Sequence, residues 1–229
     1  MEIIPNVHRI PGMQGANVYL LLDSALTLVD SGMPGSAGTI LTYIEALDPP
    51  AGDLARIVLT HHHLDHVGGL AALQACTSAQ VLAHAGDAPV ISGEVPPPQA
   101  QGALTRLLFR LVARLTPQAE PVPVDRTLHE GDPLDLLGGA TVVHVPGHTP
   151  GSIALHFPSE RLLICGDVIN HRGSQLGPPP KPFTEDMDQA IASLHRLAEL
   201  DFDVLCPGHG PPLVGGADQS VRAMVRALA

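Results

Sequence analysis

The sequence predicts an α/β fold in which two β-sheets pack together with helices on their outer faces. Three observations predict it. Short apolar, partly β-branched runs alternate with helical stretches through the first third of the chain, the pattern of a layered α/β domain. In the second half three apolar runs follow one another with only turns between, which predicts antiparallel neighbours. Helix-compatible stretches follow the β-rich segments in both halves. Hydrophobic residues make 45 % of the 229 and charged residues 15 %, a globular rather than a disordered composition. The length fits a single domain over 1–229.

The elements follow in order. Asn17–Leu22 and Leu26–Val29 read as a hairpin of buried strands around Asp23-Ser24. Asp30-Ser31-Gly32 and Pro34-Gly35 break the chain, and Ser36 is a candidate cap for a helix to about Leu47, ended by Pro49, Pro50 and Gly52. Ala55–Thr60 is a strand that runs straight into His61, followed by a helix over about Val67–Cys76 and a strand at Val81–Ala83. Pro96–Pro98 cannot be helix interior. Gly102–Thr116 is helical in pattern, with Leu104, Leu107, Leu108, Leu111, Val112 and Leu115 at helical spacing. Arg106, Arg110 and Arg114 share one of its faces. The segment 95–118 therefore reads as a packed surface helix with a solvated stripe, or as a lid over an active site or a homodimer contact. Ala140–Val145, Ser152–Phe157 and Leu162–Cys165 are the three successive strands. After an irregular stretch at Pro178–Pro180, a helix over about Glu185–Leu200, a strand at Val204–Leu205 and a helix over about Gln219–Leu228 close the pattern.

Composition excludes several function classes. Twelve Lys and Arg stand against 23 Asp and Glu, a net charge of −11. That balance argues against nucleic acid, whose backbone is bound by basic residues, and four Phe, two Tyr and no Trp leave little for base stacking. No apolar run approaches the roughly 20 residues of a membrane helix. Met1–Asn6 carries an acid and a proline where a signal peptide is basic and then apolar, so a cytoplasmic location is expected. Cys76, Cys165 and Cys206 form no close pair, as expected of reduced thiols serving as small buried hydrophobes.

The 13 His outnumber Lys and Arg together. The strand ending at Thr60 delivers His61-His62-His63-Leu64-Asp65-His66-Val67-Gly68-Gly69, poor core material. In a turn at a strand end, His61 and His63 can point at one spot, and Asp65 with His66 at a second nearby. His148, Asp167 and His209 each follow a strand and a glycine. Glycine permits sharp turns and close backbone approach, and open α/β sheets bind ligands at the carboxyl ends of their strands. Imidazole and carboxylate suit zinc and related divalent ions. Any one such histidine is more often structural; the joint occurrence is hard to explain as packing.

This constellation resembles the metallo-β-lactamase superfamily: His61-x-His63-x-Asp65-His66, then His148, Asp167 and His209 in that order, from the Leu28–Gly32 strand end to Gly208-His209-Gly210. The resemblance implies an αββα sandwich of two mixed sheets flanked by helices, with two divalent metal ions between the sheet edges, zinc being the expected ion and iron or manganese the alternatives. Carried over by position, His61, His63 and His148 would hold the first ion, Asp65, His66 and His209 the second, and Asp167 would bridge both. A metal-bridging hydroxide would be the nucleophile, with Asp65 and Asp167 as the catalytic carboxylates and Asp65 orienting the hydroxide or accepting a proton. Ligand histidines need acceptors for their other N–H; Asp30, Asp132 or backbone carbonyls are the candidates.

Within the superfamily, zinc β-lactamases usually lack a carboxylate at the Asp167 position. Thr60–Gly69 is similar to hydroxyacylglutathione hydrolases (glyoxalase II), although the short run after His209 lacks their longer C-terminal helical part, and Val168–Gly173 does not match theirs. Lactonases share the seven ligands and often carry a Tyr soon after the bridging Asp; here Asn170, His171 and Arg172 stand there as candidate substrate contacts, with Gln175 and Lys181 downstream. The expected activity is hydrolysis of a carboxylic ester, thioester or lactone in a small-molecule substrate. The alternatives are a mononuclear iron persulfide dioxygenase, which usually uses only the first metal's ligands, and a phosphodiesterase or ribonuclease, which needs a positive surface. His62 and His171 are near-site residues, and His8, His84, His129, His144, His156 and His195 have no assigned role.

Overall fold

The computed structural model describes residues 1–47, 54–98 and 118–228. One mixed sheet has seven strands in sequential order: β1 (Glu2–Ile4), β2 (Val7–Arg9), β3 (Tyr19–Leu21), β4 (Leu26–Val29), β5 (Leu54–Leu59), β6 (Gln80–His84) and β7 (Arg126–Leu128). β1 to β4 are antiparallel; β4 to β7 are parallel. The parallel strands are joined through α1 (Ala37–Ala46) and through α2 (Leu64–Val67) and α3 (Leu70–Cys76), as parallel pairing requires crossover connections. A short helix α4 (Ala88–Ile91) follows β6.

The second sheet contains β8 (Pro133–Leu134), β9 (Ala140–His144), β10 (Ile153–Phe157), β11 (Leu162–Gly166), β14 (Val204–Pro207) and β15 (Leu213–Val214), in the order β15-β14-β11-β10-β9-β8. β8 to β11 are antiparallel neighbours, as the three turn-linked runs predict, while β14 joins β11 in parallel. A small hairpin, β12 (Asn170–Arg172) with β13 (Gln175–Gly177), stands apart from both sheets. Helices α5 (Met187–Leu197) and α6 (Ala217–Arg226) complete the chain.

Period-two side-chain alternation sorts the strands into three apolar layers. Leu20, Leu28, Ile57, Leu59 and Val81 face outward onto Ile40, Ile44, Leu70 and Leu73 of the first helical layer. Tyr19, Leu21, Val29, Val58 and Leu82 face inward and meet Val142, Ile153, Leu155, Phe157 and Ile164 of the second sheet. Val143, Ala154, Leu163, Cys165 and Leu205 face out onto Leu194, Leu197, Val221 and Val225. Strands apolar on both faces are the mark of sheets covered on both sides, and the order helix, sheet, sheet, helix is the αββα sandwich.

Four readings from sequence are corrected. Ser36 precedes α1 but makes no side-chain capping bond; its carbonyl accepts from Ile40 N–H at 3.1 Å. The helix expected over Val67–Cys76 is two short helices, because Ser31 N–H and Ser31 Oγ–H both donate to the His66 carbonyl, at 2.7 and 2.8 Å, and take it out of the helical ladder. Cys76 is exposed, whereas Cys165 and Cys206 are buried. Asp132 lies in the β7–β8 turn accepting from His129 N–H at 2.9 Å, away from the histidine cluster. The helical candidate Gly102–Thr116, with Arg106, Arg110 and Arg114, lies outside the described residues.

Candidate metal centre

The carboxyl ends of four strands from both sheets meet at one edge of the sandwich. β5 continues through Thr60 into His61, β9 leads to His148, β11 ends at Gly166 before Asp167, and β14 ends at Pro207 two residues before His209. His63 sits just ahead of α2, and α2 presents Asp65 and His66. All seven residues singled out in the sequence come together here. Donor atoms of His61, His63 and His148 lie within 4.8 Å of one another, as do those of His61, His66 and Asp167 and those of Asp65, His66 and His209.

Asp167 stands at the middle. Its Oδ1 lies 3.4 Å from His66 Nε2, and its Oδ2 lies 3.5 Å from His148 Nε2 and 3.1 Å from His209 Nε2. Asp65 Oδ2 lies 3.3 Å from His209 Nε2. The Asp65 and His209 side chains are 27 % and 32 % exposed while Asp167 is 7 % exposed, so the cluster opens to solvent on the Asp65–His209 side.

Neighbouring groups orient the rings. Asp30 is buried in the left-handed region at φ 64°, where Asp is among the tolerated residues. Its carboxylate accepts from Thr60 N–H at 2.8 Å and faces Thr60 Oγ1 and His66 Nδ1, the latter at 2.7 Å. Thr60 Oγ1, donating to Asp30, is left to accept from His61 Nδ1 at 3.1 Å. His148 Nδ1 reaches Thr184 Oγ1 at 3.3 Å. The His209 loop is clamped from the other sheet: Asn17 Nδ2 donates to the Pro207 carbonyl at 2.9 Å and the Gly210 carbonyl at 2.7 Å, and Tyr19 Oη donates to Pro207 at 2.6 Å.

Charge is divided by environment. Burial and neighbouring imidazoles push His61 well below the ordinary histidine range. Burial, with its neighbouring imidazoles, lowers His63 to about 3, and burial lowers His148 to about 4. Burial alone would lower His66 too, but Asp30 and Asp167 outweigh it and raise it. Hydrogen bonds to Asp167 and Asp65 bring His209 up to about 9. Asp167 stays ionised, because His66 and His209 outweigh its burial.

The donor set fits a divalent cation. His61, His66 and His148 each direct a buried Nε2 into the cluster with no hydrogen bond, and Asp167 Oδ1 does the same. Unpaired buried polar atoms are costly, and neutral imidazoles with ionised carboxylates are the ligands of zinc-like ions. Imidazole binds such ions in its neutral form, so uptake at these histidines depends on pH.

Gly147 sets His148. It adopts φ +127°, and a Cβ there would lie 2.1 Å from Ala190 N in the first turn of α5. Gly147→Ala is therefore expected to cost at least about 1–3 kcal/mol through overpacking, read as a lower urea midpoint at unchanged slope. A wild-type midpoint would show that the loop relaxes freely.

The remaining candidates separate. Asn170 is buried, donating to the Asp167 carbonyl at 3.1 Å. His171, on β12, donates its backbone N–H to the His209 carbonyl at 3.1 Å, and its Nδ1 pairs with the Pro211 carbonyl at 2.7 Å. Arg172 and Gln175 are exposed on the hairpin. The structure also shows a residue that sequence reading missed. Asp87, 1 % exposed, lies under His62 with its Oδ2 3.1 Å from His62 Nδ1. Its only signal in the chain is an acid before Ala88-Pro89, which reads as an ordinary helix start.

An αββα sandwich with a histidine–aspartate cluster at the strand ends defines a class of metal-binding proteins. The chain belongs to the metallo-beta-lactamase superfamily, whose family model matches residues 11–209. It is 31 % identical over 234 residues to the probable metallo-hydrolase YflN of Bacillus subtilis, covering 93 % of this chain and 87 % of that protein. It is 31 % identical over 197 residues to a hydroxyacylglutathione hydrolase of Pseudomonas aeruginosa, covering 85 % of this chain but only 61 % of that enzyme. Among solved structures, a metallo-beta-lactamase family protein of Thermus thermophilus superposes with a TM-score of 0.73 at 24 % identity, covering 99 % of this chain and 79 % of the other. No helix among the described residues is long and apolar enough to cross a membrane.

Proposed function

We propose that the protein is a binuclear metal-dependent hydrolase of a carboxylic ester, thioester or lactone in a small-molecule substrate. The observation that carries this reading is the position of Asp167, whose two oxygens face imidazoles of both halves of the cluster. His61, His63 and His148 would hold one ion, Asp65, His66 and His209 the other, and Asp167 would touch both, with zinc the expected metal. Two such ions would supply a water with its pKa lowered toward ~7 and would polarise a carbonyl oxygen. Asp65, on the open side, orients the attacking water and accepts its proton at the carboxylate. Asp30, Thr60 and Thr184 hold the rings of His66, His61 and His148 so that each presents Nε2 inward. The hairpin bearing His171 and Arg172 flanks His209 and is the proposed substrate-facing surface.

The thioester branch is supported by the relatedness to hydroxyacylglutathione hydrolases. This chain spans about three-fifths of that relative's length, so glutathione recognition is not carried over. The test is a hydrolysis screen across thioesters, lactones, aryl esters and phosphodiesters, with elemental analysis of the purified protein. The expected result is cleavage of one of the first three classes, two zinc-like ions per chain, loss of turnover on chelation and recovery on adding zinc. One iron per chain with oxygen uptake would sink the hydrolase assignment.

A further inference from the structure

Beside the cluster, the buried carboxylate of Asp87 accepts three hydrogen bonds and faces the His62 ring. Oδ2 accepts from His62 N–H at 2.9 Å and from Thr149 Oγ1–H at 2.7 Å, and it lies 3.1 Å from His62 Nδ1. Oδ1 accepts from Gly151 N–H at 2.6 Å. His62 lies between His61 and His63, and Thr149 follows His148. The loops that carry these three imidazoles come from different sheets, and both are bonded to the same side chain. The contact is close: a Cβ on Gly151 would lie 2.4 Å from Asp87 N. Thr149 is itself locked, because Ser152 Oγ accepts from its N–H at 3.0 Å and lies 2.8 Å from its hydroxyl. Burial pushes the Asp87 carboxyl up, but the bonds from His62, Thr149 and Gly151 outweigh it and keep the group ionised.

We propose that Asp87 is the positioning residue of the His61–His63–His148 group, fixing the spacing between the two loops that present these imidazoles. The inference rests on the reading of that group as a metal site. It assigns to Asp87 a part in ion affinity that no contact with the ion supplies. An amide cannot replace the carboxylate. Asparagine offers one acceptor oxygen, and its NH₂ must face either Gly151 N–H or the His62 and Thr149 donors, which turns one bond into a donor–donor clash.

The experiment compares metal-stripped wild type, Asp87→Asn and Thr149→Val by zinc titration against a competing chelator. Cobalt-loaded absorption spectra and thermal midpoints with and without zinc accompany it. The expected result for Asp87→Asn is zinc affinity weaker by about 10–100-fold, the range for losing a group that orients a metal ligand, with an altered cobalt spectrum and a smaller zinc-induced rise in midpoint. Thr149→Val removes one of the donors, leaves the carboxylate in place, and should weaken zinc in the same direction by less. Wild-type affinity and spectrum in Asp87→Asn, with only the metal-free midpoint lowered, would overturn the proposal. If Asp87→Asn does not fold, wild-type zinc affinity in Thr149→Val overturns it. A wild-type protein that takes up no zinc fails differently, and overturns the reading of the site itself.

Discussion

Asp167→Ala is expected to lower kcat/KM on whichever ester, thioester or lactone the wild type cleaves by on the order of 10³-fold, the equivalent of the several kcal/mol that metal-assisted charge stabilisation contributes. Of the two ions proposed per chain, one at most should remain bound. The physical reason is position. The carboxylate faces His66, His148 and His209 together, at 3.1 to 3.5 Å, and no other acidic side chain lies between the two halves of the cluster among the described residues. Removing it leaves imidazoles without the negative charge that balances an ion. Asp167→Asn tests charge against shape, because it keeps the volume and loses the charge; it should behave like the alanine variant. Two ions and full turnover in either variant would refute the assignment.

Asp30→Ala carries the second large effect, on stability as well as on the site. Asp30 is buried and accepts from Thr60 N–H while pairing with a fully buried His66 ring at 2.7 Å. Deleting one partner of a buried, hydrogen-bonded pair costs about 3–5 kcal/mol. In a chain of this size that corresponds to a fall in Tm of roughly 6–20 °C. The expected readout is a lowered Tm in the metal-free protein together with weaker zinc binding, since His66 loses the group that orients it and Thr60 loses the acceptor that turns it toward His61. A Tm within a degree of wild type would show that water enters and replaces the carboxylate.

The first of these residues was readable from the chain and the second only half so. Asp167, like His148 and His209, stands after an apolar run and a glycine, a pattern that packing does not explain. Asp30 sits in Val29-Asp30-Ser31-Gly32, which reads equally well as a turn; only the fold brings His66 against it. Asp87 was silent because its donors, His62, Thr149 and Gly151, lie on two other loops, and no local spacing encodes such a meeting. The same limit applies to the strands. β3, β4, β5 and β9 to β11 announce themselves as apolar runs. β1 and β2 are three residues each around Pro5-Asn6, too short to show a period. The β12–β13 hairpin is built largely from polar residues and is held by its contact with the His209 loop and by the single apolar side chain of Leu176, too little to show a period.

The Asn17 clamp has a bearing on how the molecule comes into being. Its amide bonds the Gly210 carbonyl across 193 residues of chain, so the loop bearing His209 acquires its shape only after the first sheet and the last strand of the second have met. Contacts of such separation slow folding, because long loops must close before they are rewarded. The complete donor set draws on both sheets, so it exists only where the two halves are docked. A cation that requires that set binds the docked state alone, and by mass action it holds the halves together.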